Sequence, residues 1–133
     1  FKLSWLVPWQ TAKWKTKPTV YATYLLGHEG SDGLLAALRA RNLAQNLAVA
    51  CYDYHGVVST IELTVDLSNT SEDTLNAVGE FAFAFISMLR SLGVQDWVLQ
   101  EYKKLQQLNY NFQFDTSTYN LVQDLACNLH YYP

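Results

Sequence analysis

The 133-residue chain is half hydrophobic, 14% aromatic and 16% charged, with a formal charge of −3. That composition suffices for a core and excludes a disordered tail. Nine scattered Lys and Arg are too few for a phosphate-neutralising face, which excludes nucleic-acid binding. In chain order, Phe1 to Trp9 reads as a strand that Pro8 ends or places at an edge. Gln10 to Lys17 is polar and basic, hence a loop. Pro18 suits the first turn of a helix, where its missing N–H costs nothing. Val20, Tyr21, Tyr24 and Leu25 keep helical spacing up to Gly27.

Glycines punctuate residues 27 to 33, and Ser31 or Asp32 is placed to cap a second helix striped by Leu34, Leu35 and Leu38 and stopped near Asn42. Leu43 to Tyr54 and Val57 to Leu67 predict two strands, joined at His55-Gly56 as an antiparallel hairpin. The second alternates, with Ile61, Leu63 and Val65 on one face and Thr60, Glu62, Thr64 and Asp66 on the other. The first carries Ala44, Ala48 and Ala50, small residues that let another backbone approach. Thr70 or Ser71 caps a long amphipathic helix from about Leu75 to Leu92, with Glu72 and Asp73 at its positive end and Gly93 after it. Asp96 is a cap for the next helix, through Leu105 and Leu108 to Phe112. A last helix runs from about Tyr119 to His130, before Tyr131-Tyr132-Pro133. The order indicates an α+β fold, one domain over residues 1–133, with a mixed or antiparallel sheet and helices packed on one face. The longest apolar run, Phe81 to Ile86, is short of a membrane span.

A zinc peptidase needs HExxH or HxxEH, which let two imidazoles face one ion beside a carboxylate. Here His28-Glu29 is followed by Gly30, Ser31 and Asp32, while His55 and His130 stand alone. No metal ligand set and no cofactor are expected within the chain. No GxSxG elbow or phosphate-cradling loop occurs. Cys51 and Cys127 lack metal-ligand spacing, so buried free thiols in a reducing compartment are the first reading and one disulfide the second. What remains is the small-residue strand from Leu47 to Ala50 near Glu29. It suits an extended peptide adding as a strand, its amino terminus held by the carboxylate. The plainer reading is an ordinary strand and an exposed helix-end glutamate.

The run Tyr24-Leu25-Leu26-Gly27-His28-Glu29-Gly30, followed by Gly33-Leu34-Leu35 and Leu38, resembles the second domain of the insulin-degrading-enzyme and pitrilysin type of zinc peptidase. Ser4-Trp5-Leu6, Val65-Asp66-Leu67, Trp97-Val98-Leu99-Gln100-Glu101 and His130-Tyr131-Tyr132-Pro133 are similar to further landmarks of that domain, in order. The resemblance covers nearly the whole chain. It implies a non-catalytic, chamber-forming domain whose parent carries HxxEH and zinc in another domain. It also implies peptide substrates and the parent's other domains as partners; a cytoplasmic location is expected beside it, in keeping with reduced thiols.

The resemblance further implies an exosite at Gly27 and Glu29 in the turn and at Leu47, Ala48 and Val49 on the pairing strand. The sequence departs from the family pattern at four places. Val20 and Tyr24 replace two histidines, Val49 replaces a glycine, and Glu62 replaces an isoleucine. Main-chain pairing tolerates such changes, whereas Glu29 and Glu62 together retune how a cationic terminus is held. Two other readings stay open: a non-catalytic scaffold homologue of the same fold, and an unrelated α+β enzyme.

The first residues already read as strand and the family's domain runs on past its HYYP, so the chain looks cut from a longer protein. That predicts exposed apolar surface and self-association. Sedimentation should show concentration-dependent assembly, and one monomeric species at high concentration contradicts it.

Overall fold

The computed structural model describes residues 1–54, 56–112 and 117–131. Alternation in the central strand organises the sheet. β3 (Val58–Leu67) buries Ser59, Ile61, Leu63 and Val65 on one face and turns Glu62, Thr64 and Asp66 to the other. It is flanked by β1 (Lys2–Pro8) and β2 (Ala44–Tyr54), both antiparallel to it, in the order β1-β3-β2. Leu3 pairs with Leu63 and Leu63 with Val49, so odd-numbered residues of β1, of β3 and of β2 from Leu47 onward share the core face.

β2 and β3 form the expected hairpin. Val57 N–H donates to Tyr54 O at 3.0 Å, and Gly56 supplies the positive φ of +80° that the turn needs. The His55 half of that turn lies outside the described residues, as do Tyr132 and Pro133. A register shift between Ala44 and Asn46 marks a bulge, and the Arg39 guanidinium donates twice to Gln45 O there, at 3.0 and 2.7 Å.

The helices α1 (Pro18–Leu26), α2 (Leu34–Arg39) and α3 (Glu72–Leu92) belong with the sheet. Leu34, Leu35 and Leu38 of α2 and Val78 and Ala82 of α3 join Leu47, Leu63 and Val65 in one core cluster. Ser71 caps α3, its Oγ accepting from Thr74 N–H at 3.2 Å. Two other expected caps fail. Gly33, in extended conformation, occupies the N-cap of α2 in place of Ser31 or Asp32, and Gln95 precedes α4 with Asp96 already inside it. At Gly33 a tight turn dictates the cap, because no side chain fits there.

The chain divides into two compact units, one from Phe1 to Val94 and one beginning at Gln95. The second contains α4 (Asp96–Asn111) and α5 (Thr118–Tyr131). α3 is, among the described residues, the one helix long and apolar enough by length and composition to cross a membrane. Val78 and Ala82 of the same helix are buried in the core cluster. Cys51 and Cys127 are free and exposed, which corrects the expectation of buried thiols. Cys51 lies on the part of β2 nearest the hairpin, where side chains are mostly exposed.

Sidedness is measurable. Leu63→Ala should cost about 2–5 kcal/mol in denaturant unfolding, because Leu63 is fully buried. Leu6→Ala, on the outer face at 77% exposure, should cost under about 0.5 kcal/mol.

Candidate functional site

Main-chain bonding fixes which groups of β2 are free. Phe1 N donates to Val65 O at 3.0 Å and Val65 N to Phe1 O at 2.8 Å, so the odd residues of β3 bond toward β1. Antiparallel ladders alternate, so the even residues of β3 bond toward β2, through Asn46, Ala48, Ala50 and Tyr52. The N–H and C=O groups of Leu47, Val49 and Cys51 therefore point away from β3. No other strand pairs with β2 among the described residues.

The turn after α1 reaches this margin. Gly27 ends α1, its N–H donating to Thr23 O at 2.9 Å. A Cβ there would sit 3.1 Å from Thr23 O and 3.6 Å from Val49 Cγ2, so Gly27 lies directly against Val49. His28 is used structurally: a Cβ on Gly30 would come within 2.3 Å of its Nε2, and its ring lies 6.0 Å from that of Tyr24. Glu29 is exposed and has no hydrogen bond or ion pair among the described residues. Val20 and Tyr24 lie one turn apart on α1, half-buried.

The outer face beside the margin is small and polar. Ala48 and Ala50 stand next to Thr64 and Glu62. Glu62 accepts from Lys2 Nζ at 2.6 Å and from Ser4 Oγ at 3.5 Å. The hydrogen bond from Lys2 to Glu62 holds the ammonium above its usual value. The corresponding stabilisation is present at neutral pH and is lost as pH rises through that raised value. On the core face, partial desolvation pushes the Cys51 thiol up, a hydrogen bond with Thr19 opposes that, and Asp53 adds to it.

The structure thus brings Gly27 beside Val49, and Glu62 onto the outer face with Ala48 and Ala50. It shows no contact between Glu29 and any of them. Cys51 belongs to the free margin and was missed; the parity of the alternation, counted from Leu47, would have found it. Among the described residues no three His, Cys, Asp or Glu side chains gather where one ion could be held. A separate apolar groove of about 290 Å³ lies between α1 and the end of α3, lined by Tyr21, Leu25, Leu26, Ile86, Leu89 and Arg90 among others.

No protein-family model matches the chain. It is 24% identical to nardilysin of Rattus norvegicus over 135 residues, which cover 98% of the chain. It is 25% identical to insulin-degrading enzyme of Drosophila melanogaster over 92% of the chain, and 28% to that of Mus musculus over 90%. The chain spans 12% of the length of each of these relatives. Its fold matches the crystal structure of pitrilysin with a TM-score of 0.86 over 99% of the chain and 14% of the other, at 18% identity.

The turn is tight enough to test. Gly33→Ala places a Cβ 2.1 Å from His28 O, a main-chain atom. It should destabilise the chain by about 2 kcal/mol or more in urea unfolding, whereas Ser31→Ala, at an exposed position of the same turn, should change stability by under about 0.5 kcal/mol.

Proposed function

Because the chain is homologous to nardilysin and insulin-degrading enzyme along nearly its whole length, we propose that it is the substrate-holding, chamber-forming domain of a zinc metallopeptidase that degrades peptides. The zinc and its ligands belong to another domain of the parent, and this domain performs no bond cleavage. An extended peptide adds to the margin of β2 through Leu47, Val49 and Cys51.

The observation that carries this reading is the row of outward main-chain groups on β2. Unpaired N–H and C=O groups at a sheet edge are a template for another strand. Such pairing uses no side chain, so it holds many sequences with little preference among them. That property suits a site that anchors one end of a substrate while cleavage happens elsewhere. Glu29, exposed and without a partner among the described residues, is the carboxylate for a peptide's amino terminus.

Proline substitution separates the two sides of β2. Val49→Pro removes an outward donor and leaves the ladder to β3 whole, as an edge strand tolerates. It should weaken binding of a short extended peptide by about tenfold or more, the scale of one or two lost hydrogen bonds. Ala48→Pro breaks the ladder itself and should lower stability instead. In the parent peptidase, Glu29→Ala should raise KM for peptides with a free amino terminus and leave acetylated ones unaffected. Unchanged binding in a folded Val49→Pro chain would exclude strand addition here.

A further inference from the structure

On the outer face, β2 and β3 form five rungs: Asn46–Asp66, Ala48–Thr64, Ala50–Glu62, Tyr52–Thr60 and Tyr54–Val58, the last apolar on β3. A strand added beyond β2 places alternate side chains on this same face, each in line with one rung. For such a side chain to reach β3 it must pass over the β2 residue between. Ala48 and Ala50 are small enough, but Thr64 offers no charge. Asp66 is charged, but the longer Asn46 intervenes. Thr60 is uncharged and lies behind Tyr52. Ala50–Glu62 alone combines a carboxylate on β3 with a one-carbon side chain in the way.

Resting on the strand-addition reading, we infer that the guest peptide is read at one register position, where an arginine side chain beside Ala50 reaches over it to Glu62. Two strand spacings separate β3 from the added strand, roughly 10 Å. Both partners of Glu62, Lys2 and Ser4, lie on β1, so the long arm of arginine closes most of that gap and the Glu62 side chain swings toward Ala50 to meet it. Glu62 has capacity for the contact. Its Oε2 is engaged by Lys2 at 2.6 Å, while Oε1 has only a 3.5 Å approach from Ser4 Oγ. An ionised carboxylate accepts about four hydrogen bonds. The Glu62 side chain is 18% exposed, so water screens it weakly, whereas Lys2 is 53% exposed and dissipates part of its charge into solvent. The guanidinium lies flat and forked, and two of its N–H groups meet Oε1 along the face of the sheet. The guest is therefore an extended peptide carrying one arginine, and that arginine sets which of several equivalent registers the strand adopts.

The test uses short peptides blocked at both ends, identical except for arginine, citrulline or glutamate at one position, with binding to the chain followed by fluorescence anisotropy. Arginine should bind about fivefold tighter than its uncharged isostere citrulline, the scale of a partly screened charge-assisted contact, and glutamate should bind weakest. The arginine-to-citrulline ratio should fall to about one in Glu62→Gln, and also in Ala50→Leu, which changes no charge and closes the path. Higher salt should shrink it. N-methylation of the peptide residue that faces Val49 should weaken all three peptides. Equal binding of arginine and citrulline, with N-methylation still weakening both, overturns the register inference and leaves strand addition standing. No effect of N-methylation overturns strand addition and the inference with it. An arginine preference that survives Glu62→Gln assigns it to another group and overturns the inference.

Discussion

The constraint on which the rest depends is the two-sided bonding of β3. Its odd residues send their main-chain groups to β1 and their side chains into the core. Its even residues bond toward β2 and turn their side chains to the outer face, where Thr64 and Asp66 are exposed. A slip of one residue in either ladder would move Leu63 and Val65 out of the core and Glu62 and Thr64 in. Burial of those apolar side chains therefore holds the register. The register in turn determines that Leu47, Val49 and Cys51 present free donors and acceptors, and that Ala48 and Ala50 line the face above. The open margin of β2 is thus a by-product of hydrophobic packing elsewhere in the sheet.

The turn between α1 and α2 shows how close packing divides labour among neighbouring residues. Gly33 leaves no room for a Cβ against His28 O, and Gly30 leaves room only for the His28 ring. The imidazole is thereby committed to the turn. Glu29, between these contacts, has no hydrogen bond or ion pair among the described residues. The same geometry brings Gly27 against Val49. The glycines are needed for close approach, and the glutamate is presented because its neighbours absorb the packing.

Much of this was legible in the sequence. The alternation from Thr60 to Asp66, the Pro18 helix start and the Gly27 and Gly93 stops each follow from local stereochemistry, and all match the elements observed. The caps of α2 and α4 were misassigned because a side-chain cap is one of several ways to begin a helix, and tertiary contacts choose among them. The thiol environment was also misread. Cysteine's general preference for burial says nothing about which part of a strand the helices cover. Strand order could not be read from periodicity, since either β2 or β3 could have been central. Placing β3 centrally is what leaves β2 with a free side, and that fact came from the fold alone.

The bulge at the start of β2 gives the free margin a definite length. Arg39 occupies Gln45 O with two hydrogen bonds, and the extra residue there breaks the regular spacing. At the other end the chain turns away after Tyr54. Between them, Leu47 to Asp53 offers a window of about seven residues, roughly 20–24 Å of extended chain. Under the proposed strand addition the fold thus contains a ruler: a guest segment longer than this window would gain no further main-chain bonds.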